Sequence, residues 1–269
     1  MTTNEFLTLL LSGLALAVSL LTFLIGQAQE KKQMRASVRE QLSRVVQDII
    51  AAQGDYAMLD AEPPERRDAG YDARIGSANH RLASLSRQAT ELTKLEENVG
   101  FDVEYIAIAN ALGTAGDLPA ARSNFEQAIR LAPTPYYKAI NLRMFAYFLF
   151  THDHFDEARK IFEEAVAVQP NVDDFNRSNN VRIYLEWGGL EAWVEAPGER
   201  RAAACFENAR QVAQSIGFAP IREAALRDVA VRSAPRRPPP GRGMPETSGR
   251  SRPPVGPEAT QHPHSFPPL

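Results

Sequence analysis

Few residues of this chain have the types and spacing that catalysis or metal binding requires. His152 and His154 flank Asp153, but residues two apart do not share a helix face, and the surrounding sequence predicts a turn. His80 stands alone beside an apolar stripe, and the single cysteine, Cys205, lies in an alanine-rich run typical of a buried helix. We interpret all five residues as structural.

The sequence also lacks the short motifs that carry common chemistries. It contains no glycine-rich phosphate loop, no His-Glu-x-x-His zinc motif and no nucleophile elbow. We therefore expect a protein that is not an enzyme, with no catalytic residues, no metal and no cofactor. Its function would then depend on a binding surface, and on the elements that build one.

Charge narrows the choice of partner. The formal net charge of the 269 residues is -3, but residues 233–269 carry five arginines against two glutamates. The remaining chain is therefore about -6, too acidic for general nucleic-acid binding. One cysteine excludes an internal disulfide framework and fits a reducing compartment.

An apolar segment, residues 6–26, follows a short N-terminal stretch, residues 1–5. Its sequence FLTLLLSGLALAVSLLTFLIG has no charge and no proline, and at 1.5 Å per residue about 20 residues cross the roughly 30 Å hydrocarbon layer. A cleaved signal peptide is the alternative, but the run is long for a signal and no Lys or Arg precedes it. The sequence predicts a single transmembrane helix, through which the lipid bilayer is one partner of the chain.

Cations after the apolar segment predict its orientation. Lys31, Lys32, Arg35 and Arg39 follow it, whereas only Glu5 carries charge before it. Because cytoplasmic flanks are enriched in Lys and Arg, we expect the N-terminus outside and the soluble part in the cytoplasm.

Residues 27–100 carry two apolar stripes at heptad spacing, which predicts a juxtamembrane helix and a long helical hairpin. Pro63 and Pro64 separate the stripes, and Gly100 ends the second. An intermolecular coiled coil that dimerises the chain is the alternative, so a homo-oligomer stays open. The stripes comprise Val38, Leu42, Val45, Ile49, Ala52, Tyr56 and Leu59, then Ile75, Ala78, Leu82, Leu85, Ala89, Leu92 and Leu95.

Residues 101–232 contain an internal repeat. GDLPAARSNFEQAIRLAP and HDHFDEARKIFEEAVAVQP share a turn, an alanine, an aromatic residue four positions on, a further alanine and a closing proline. The aromatic residues are Phe125 and Phe162, and Phe206 occupies a similar place in a third, degraded copy.

These units resemble tetratricopeptide repeats, helix-turn-helix units of about 34 residues. The resemblance implies an all-α fold: an α-solenoid of two clear repeats and one degenerate repeat. It also implies that the first helix of each unit lines a groove for a peptide or a partner helix. Transferred repeat by repeat, the predicted groove residues are Ile106, Asn110, Arg143, Tyr147, Phe150 and Trp187, with Gly113, Tyr184 and Glu191 beside them. The alternative is that Tyr147, Phe150 and Trp187 only pack between repeats.

Residues 233–269 are rich in proline, glycine and arginine and poor in apolar residues, so we expect a disordered tail. Pro235 and Pro254 each begin a loose PxxP spacing, a weak indication of a ligand for another domain.

The sequence therefore predicts a membrane-anchored scaffold or adaptor that binds a protein partner. Two alternatives are an exported envelope assembly factor of the same fold and a regulatory protein that dimerises through the hairpin.

Overall fold

The computed structural model describes residues 3–96, 98–196 and 198–234, and the side chains of all but residues 3–19 among them. This part of the chain is all-α, as the sequence predicts, and contains no strand. The helices are α1 (Thr3–Asp60), α2 (Tyr71–Leu95), α3 (Asp102–Thr114), α4 (Leu118–Leu131), α5 (Pro135–Thr151), α6 (Phe155–Ala167), α7 (Asp174–Val194), α8 (Arg201–Gln214) and α9 (Ala219–Ser233).

Two predictions fall largely on residues that the structure does not describe. The side chains of residues 6–19, most of the predicted span, lie outside the described part, and so do residues 235–269 of the predicted tail. Within the described residues, no helix is long and apolar enough to cross a bilayer. The anchor and the tail therefore stay predictions.

The helices pack as successive antiparallel pairs: α1 with α2, α3 with α4, α5 with α6 and α7 with α8, followed by α9. The first helices α1, α3, α5, α7 and α9 each contact the next first helix, whereas the second helices contact no other second helix in the described chain. The molecule thus has a continuous layer of first helices covered by separated second helices. We call the side of the first-helix layer that faces away from the second helices its inner side.

Local sequence explains where the helices begin and turn. Asp117 and Asp173 accept hydrogen bonds at the starts of α4 and α7, from the backbone N–H groups of Ala120 at 3.3 Å and Asn176 at 2.7 Å. These bonds satisfy amides that the helix leaves without partners.

The turns inside the second and third pairs share a left-handed residue at equivalent places. Gly116 has a φ of 84° and Asp153 a φ of 63°. Asp is one of the few non-glycine residues that adopts the left-handed backbone conformation with only a moderate energy cost. His152, Asp153 and His154 together form the turn between α5 and α6, as their sequence predicts.

Phe125 of α4 and Phe162 of α6 fill the spaces between pairs. Both rings are fully buried, and alanines Ala121, Ala128 and Ala158 beside them are also 0% exposed. Small residues let the helices approach and the ring occupies the volume that remains. Truncation of such a ring costs about 3–5 kcal/mol, since the cavity cannot close fully.

The hairpin of α1 and α2 forms the first pair of this stack. Its stripe residues Val38, Leu42 and Ile49 are at most 5% exposed, and α1 also packs on α3. The Nε2 of Gln53 donates to the backbone carbonyl of Ala107 across that contact at 3.3 Å. The chain's own helices therefore cover the stripe on which dimerisation through the hairpin would depend.

Two adjacent glycines in α7 provide a test of this packing. A Cβ at Gly188 would lie 2.9 Å from the Phe206 ring and 3.1 Å from Cys205 Cβ, whereas a Cβ at Gly189 meets nothing within 4 Å. We expect Gly188→Ala to lower the free energy of unfolding by about 1–3 kcal/mol through overpacking. We expect Gly189→Ala to raise it by up to about 1 kcal/mol through helix propensity.

Thermal unfolding of the full chain in detergent, followed by circular dichroism, measures both changes. If the two substitutions shifted the midpoint in the same direction and by the same amount, the α7–α8 contact described here would be wrong.

Candidate functional site

Contacts between α5 and α7 set the register of the inner surface. The rings of Tyr136 and Phe175 stack with centroids 4.5 Å apart. Asn141 and Asn180 are both buried and both donate from Nδ2 to the carbonyl of a residue in or just after the preceding second helix, Ala128 and Gln169, at 3.1 Å. Each pair lies 39 positions apart in the sequence, so α7 aligns with α5 at that spacing.

This register places Trp187 away from the predicted groove. Its equivalent is Phe148, because Phe148 packs on Phe125 at 5.1 Å and Trp187 packs on Phe162 at 5.5 Å. The sequence predicts Trp187 as a groove residue, but by this register the equivalent of Tyr147 is Glu186, and each position rotates a helical residue by about 100°. Trp187 therefore lies between α6 and α7, where it is partly exposed and stacks on the ring of Phe162.

Two further predicted groove residues belong to the core. Ile106 is 7% exposed and Phe150 is 3% exposed. Phe150 lies in the last turn of α5 and packs on the ring of Phe155 at the start of α6, with centroids 5.0 Å apart. Each first helix has neighbours on both sides, so its open stripe is narrower than the sequence suggests, and neither residue is available to a ligand in this structure.

Asn110, Arg143 and Tyr147 remain on the open surface. Tyr147 is 45% exposed, and Asn110 and Arg143 are partly exposed. With the 39-residue register, Glu186 of α7 is equivalent to Tyr147 of α5, and Arg182 of α7 is equivalent to Arg143 of α5. Asn110 of α3 lies in the same row as Tyr147 and Glu186. We call these five residues the inner face.

A charged cleft continues the inner face between α5, α7 and α9. Arg143 Nη1 donates to Glu186 Oε2 at 2.6 Å, with each side chain about one quarter exposed. Arg143 and Glu186 line a cavity of about 310 Å³ together with Arg182, Asp228, Arg232 and the apolar Leu185. No ion pair engages Arg182, Asp228 or Arg232 within the described chain, and Arg143 Nε is buried without a hydrogen-bond partner.

The sequence-based transfer missed Arg182, Glu186, Asp228 and Arg232. The long connection before α7 hides the register of the third pair, and α9 falls outside the repeat pattern. One signal was present: Tyr136 and Asn141 recur as Phe175 and Asn180 at identical spacing.

A second polar cluster is structural. Glu191 is 0% exposed and accepts hydrogen bonds from Arg159 Nε at 2.7 Å and Nη2 at 2.9 Å, and from Trp187 Nε1 at 2.9 Å. Burial acts to raise the pKa of the Glu191 carboxyl, but these donors outweigh it, so the pKa lies below its usual range. Glu191 is thus an anchored anion that joins α6 to α7, since every donor reaches it from those helices.

The cysteine, acidic and histidine side chains of the described residues were compared with the requirements of a reactive thiol and of a metal site. Burial is the main cause that raises the pKa of Cys205 to about 12, so the thiol stays protonated at neutral pH. Across residues 3–96, 98–196 and 198–234, no group of three or more His, Cys, Asp or Glu residues is placed to hold a metal ion.

Comparisons with known proteins found no matching family model, no similar curated protein and no similar solved structure. The class of this protein is defined here by its fold alone: an all-α stack of helical pairs with an open inner face.

The corrected register predicts opposite consequences for two aromatic residues. Trp187→Ala should lower the free energy of unfolding by about 3 kcal/mol, because it leaves a cavity against Phe162 and removes a donor from Glu191. Tyr147→Ala should cost under about 1 kcal/mol, because the side chain is nearly half exposed. Urea unfolding of both variants measures the difference, and equal losses would contradict the register.

Proposed function

We propose that this protein is a membrane-anchored interaction scaffold or adaptor whose inner face binds an extended segment of a partner protein. The observation that carries the proposal is the row of available side chains across adjacent first helices: Asn110, Tyr147 and the charged cleft beside them. Tyr and Arg are the side chains most enriched where protein interfaces gain their energy. The proposal also takes the helical pairs to be tetratricopeptide-like repeats.

The dimensions of the inner face suit a short extended segment. Neighbouring first helices pack about 10 Å apart, so the distance from α3 to α9 is about 30 Å. An extended chain advances about 3.3 Å per residue, which gives about nine residues of partner. Arg182, Asp228 and Arg232, which form no ion pair within the described residues, offer charged contacts at one end, and Tyr147 offers an aromatic contact near the middle.

We also propose that the apolar segment, residues 6–26, anchors the chain in a membrane. Five large apolar side chains at its described end are between 50% and 61% exposed: Leu20, Leu21, Phe23, Leu24 and Ile25. No described helix covers them, and lipid tails would remove this surface from water. Lys31 and Lys32 are exposed immediately after the segment, which favours a cytoplasmic soluble part.

Site-specific photocrosslinking in membranes tests the inner face. A photoreactive amino acid at position 147 should give a discrete crosslinked product, whereas one at the exposed position 163 of α6 should not. Adding Arg182→Glu should reduce the yield at position 147 at least fivefold, because it places a negative charge beside Glu186 in the cleft. The matched control, Lys160→Glu on the exposed side of α6, makes the same charge change and should leave the yield unchanged.

Equal crosslinking from positions 147 and 163, or equal loss with both charge reversals, would refute binding at the inner face. Circular dichroism of each variant checks that its helix content is retained.

A reporter fusion after Leu269 tests the orientation. We expect activity from a reporter that functions only in the cytoplasm and none from one that functions only after export, because the cations follow the apolar segment. The reverse pattern would exclude the cytoplasmic scaffold and favour the exported assembly factor.

A further inference from the structure

The first turns of α3, α5, α7 and α9 lie along one edge of the first-helix layer. Tyr136 and Phe175 stack across α5 and α7, with ring centroids 4.5 Å apart. The backbone N–H of Phe218, which immediately precedes α9, donates to Asp174 Oδ2 in the first turn of α7 at 2.7 Å. We call this row the N-terminal edge.

Large apolar side chains are exposed along the whole N-terminal edge. Because Cα–Cβ bonds in a helix tilt toward its N-terminus, side chains of the first turn project beyond the helix end. Exposed apolar residues that are grouped along one edge are typical of an interaction surface, whereas single exposed apolar residues are common on any protein. The row, with exposures of 44% to 70%, comprises Val103, Tyr137 and Phe175 in the first turns and Phe101, Val172 and Phe218 just before a helix.

Helix α1 leaves the stack at this same edge. Successive helices alternate in direction, so α1 runs parallel to α3, and the Arg39 guanidinium lies 4.3 Å from the centroid of the Phe101 ring. The residues of α1 before Val38 therefore extend beyond the edge, and residues 27–37 are exposed. Ile25 precedes Arg39 by 14 residues, or about 21 Å of helix.

We propose that the α7–α9 end of the N-terminal edge rests on the lipid headgroups of the membrane that holds the apolar segment. This inference depends on the proposed anchor and is independent of the inner face. Four helix steps of about 10 Å place α9 about 40 Å to the side of α1. A lean of about 25°, within the usual tilt of transmembrane helices, lowers the α9 end by about 17 Å and brings Phe175 and Phe218 to the headgroup layer.

The chemistry of the edge suits a lipid surface. Aromatic side chains concentrate at membrane interfaces, where an apolar ring and polar neighbours are both satisfied. A second copy of the chain is the competing occupant, but it gives no reason for the row to lie on the side from which α1 extends toward the apolar segment.

A matched pair of positions at the two ends of α7 tests the proposal. Phe175 is 61% exposed at the N-terminal edge, and Trp193 is 73% exposed at the other end. The full chain carrying Phe175→Cys or Trp193→Cys is labelled with an environment-sensitive fluorophore and reconstituted in vesicles of phosphatidylcholine and phosphatidylglycerol. The unsubstituted chain is the blank, because Cys205 is buried and its pKa is raised to about 12.

Flotation first reports whether the chain is held by the vesicles, and headgroup spin-labelled lipid then reports proximity. We expect at least threefold more quenching at position 175 than at position 193, and more at position 218 in a Phe218→Cys variant than at position 101 in a Phe101→Cys variant. Equal quenching at positions 175 and 193 in floated protein overturns the edge proposal and leaves the anchor standing.

Two other outcomes also overturn it. Failure to float removes both the anchor and the lipid contact, without bearing on the inner face. Shielding of position 175 from a water-soluble quencher in detergent as well as in vesicles would instead identify a second copy of the chain as the occupant.

Discussion

The close approach of neighbouring first helices is the constraint on which the rest of this structure depends. Phe125 and Phe162 fill the space between helical pairs. The alanines around them let the helix backbones approach closely, so that the two rings leave no gap. Because both rings are fully buried, their loss would leave cavities that cost about 3–5 kcal/mol each. The parallel layer of first helices, and every surface that it presents, follows from this packing.

That one layer accounts for two distinct surfaces. Its open side carries the inner face, where Tyr147 is nearly half exposed and charged side chains line the cleft around Arg143. Its N-terminal edge carries the exposed aromatic row, because parallel helices bring their first turns to the same side. The two surfaces have no residue in common, because one is the open side of the layer and the other is the edge where its helices begin.

The continuity of α1 gives this arrangement a mechanical consequence. One helix includes the exposed apolar residues near Ile25 and the buried stripe from Val38, with no proline or helix break between them. A chain anchored through residues 6–26 would therefore hold its helical pairs on a stiff connection rather than a flexible linker. The ion pair and cation–π contact of Arg39 with Glu104 and Phe101 lock α1 to the next pair at the edge itself.

The amino-acid sequence was enough to predict the all-α class, the break at Pro63 and Pro64, and the turns between helices, because these depend on local periodicity and on residues such as proline and glycine. It also predicted Asn110, Arg143 and Tyr147 as groove residues, and all three are at least partly exposed. It misplaced Trp187, Ile106 and Phe150, because a shift of one residue turns a helix face by about 100° and because burial is decided by neighbouring helices. Only the tertiary structure assembled the charged cleft and the N-terminal edge, since their residues come from helices far apart in the chain and meet only when the pairs stack.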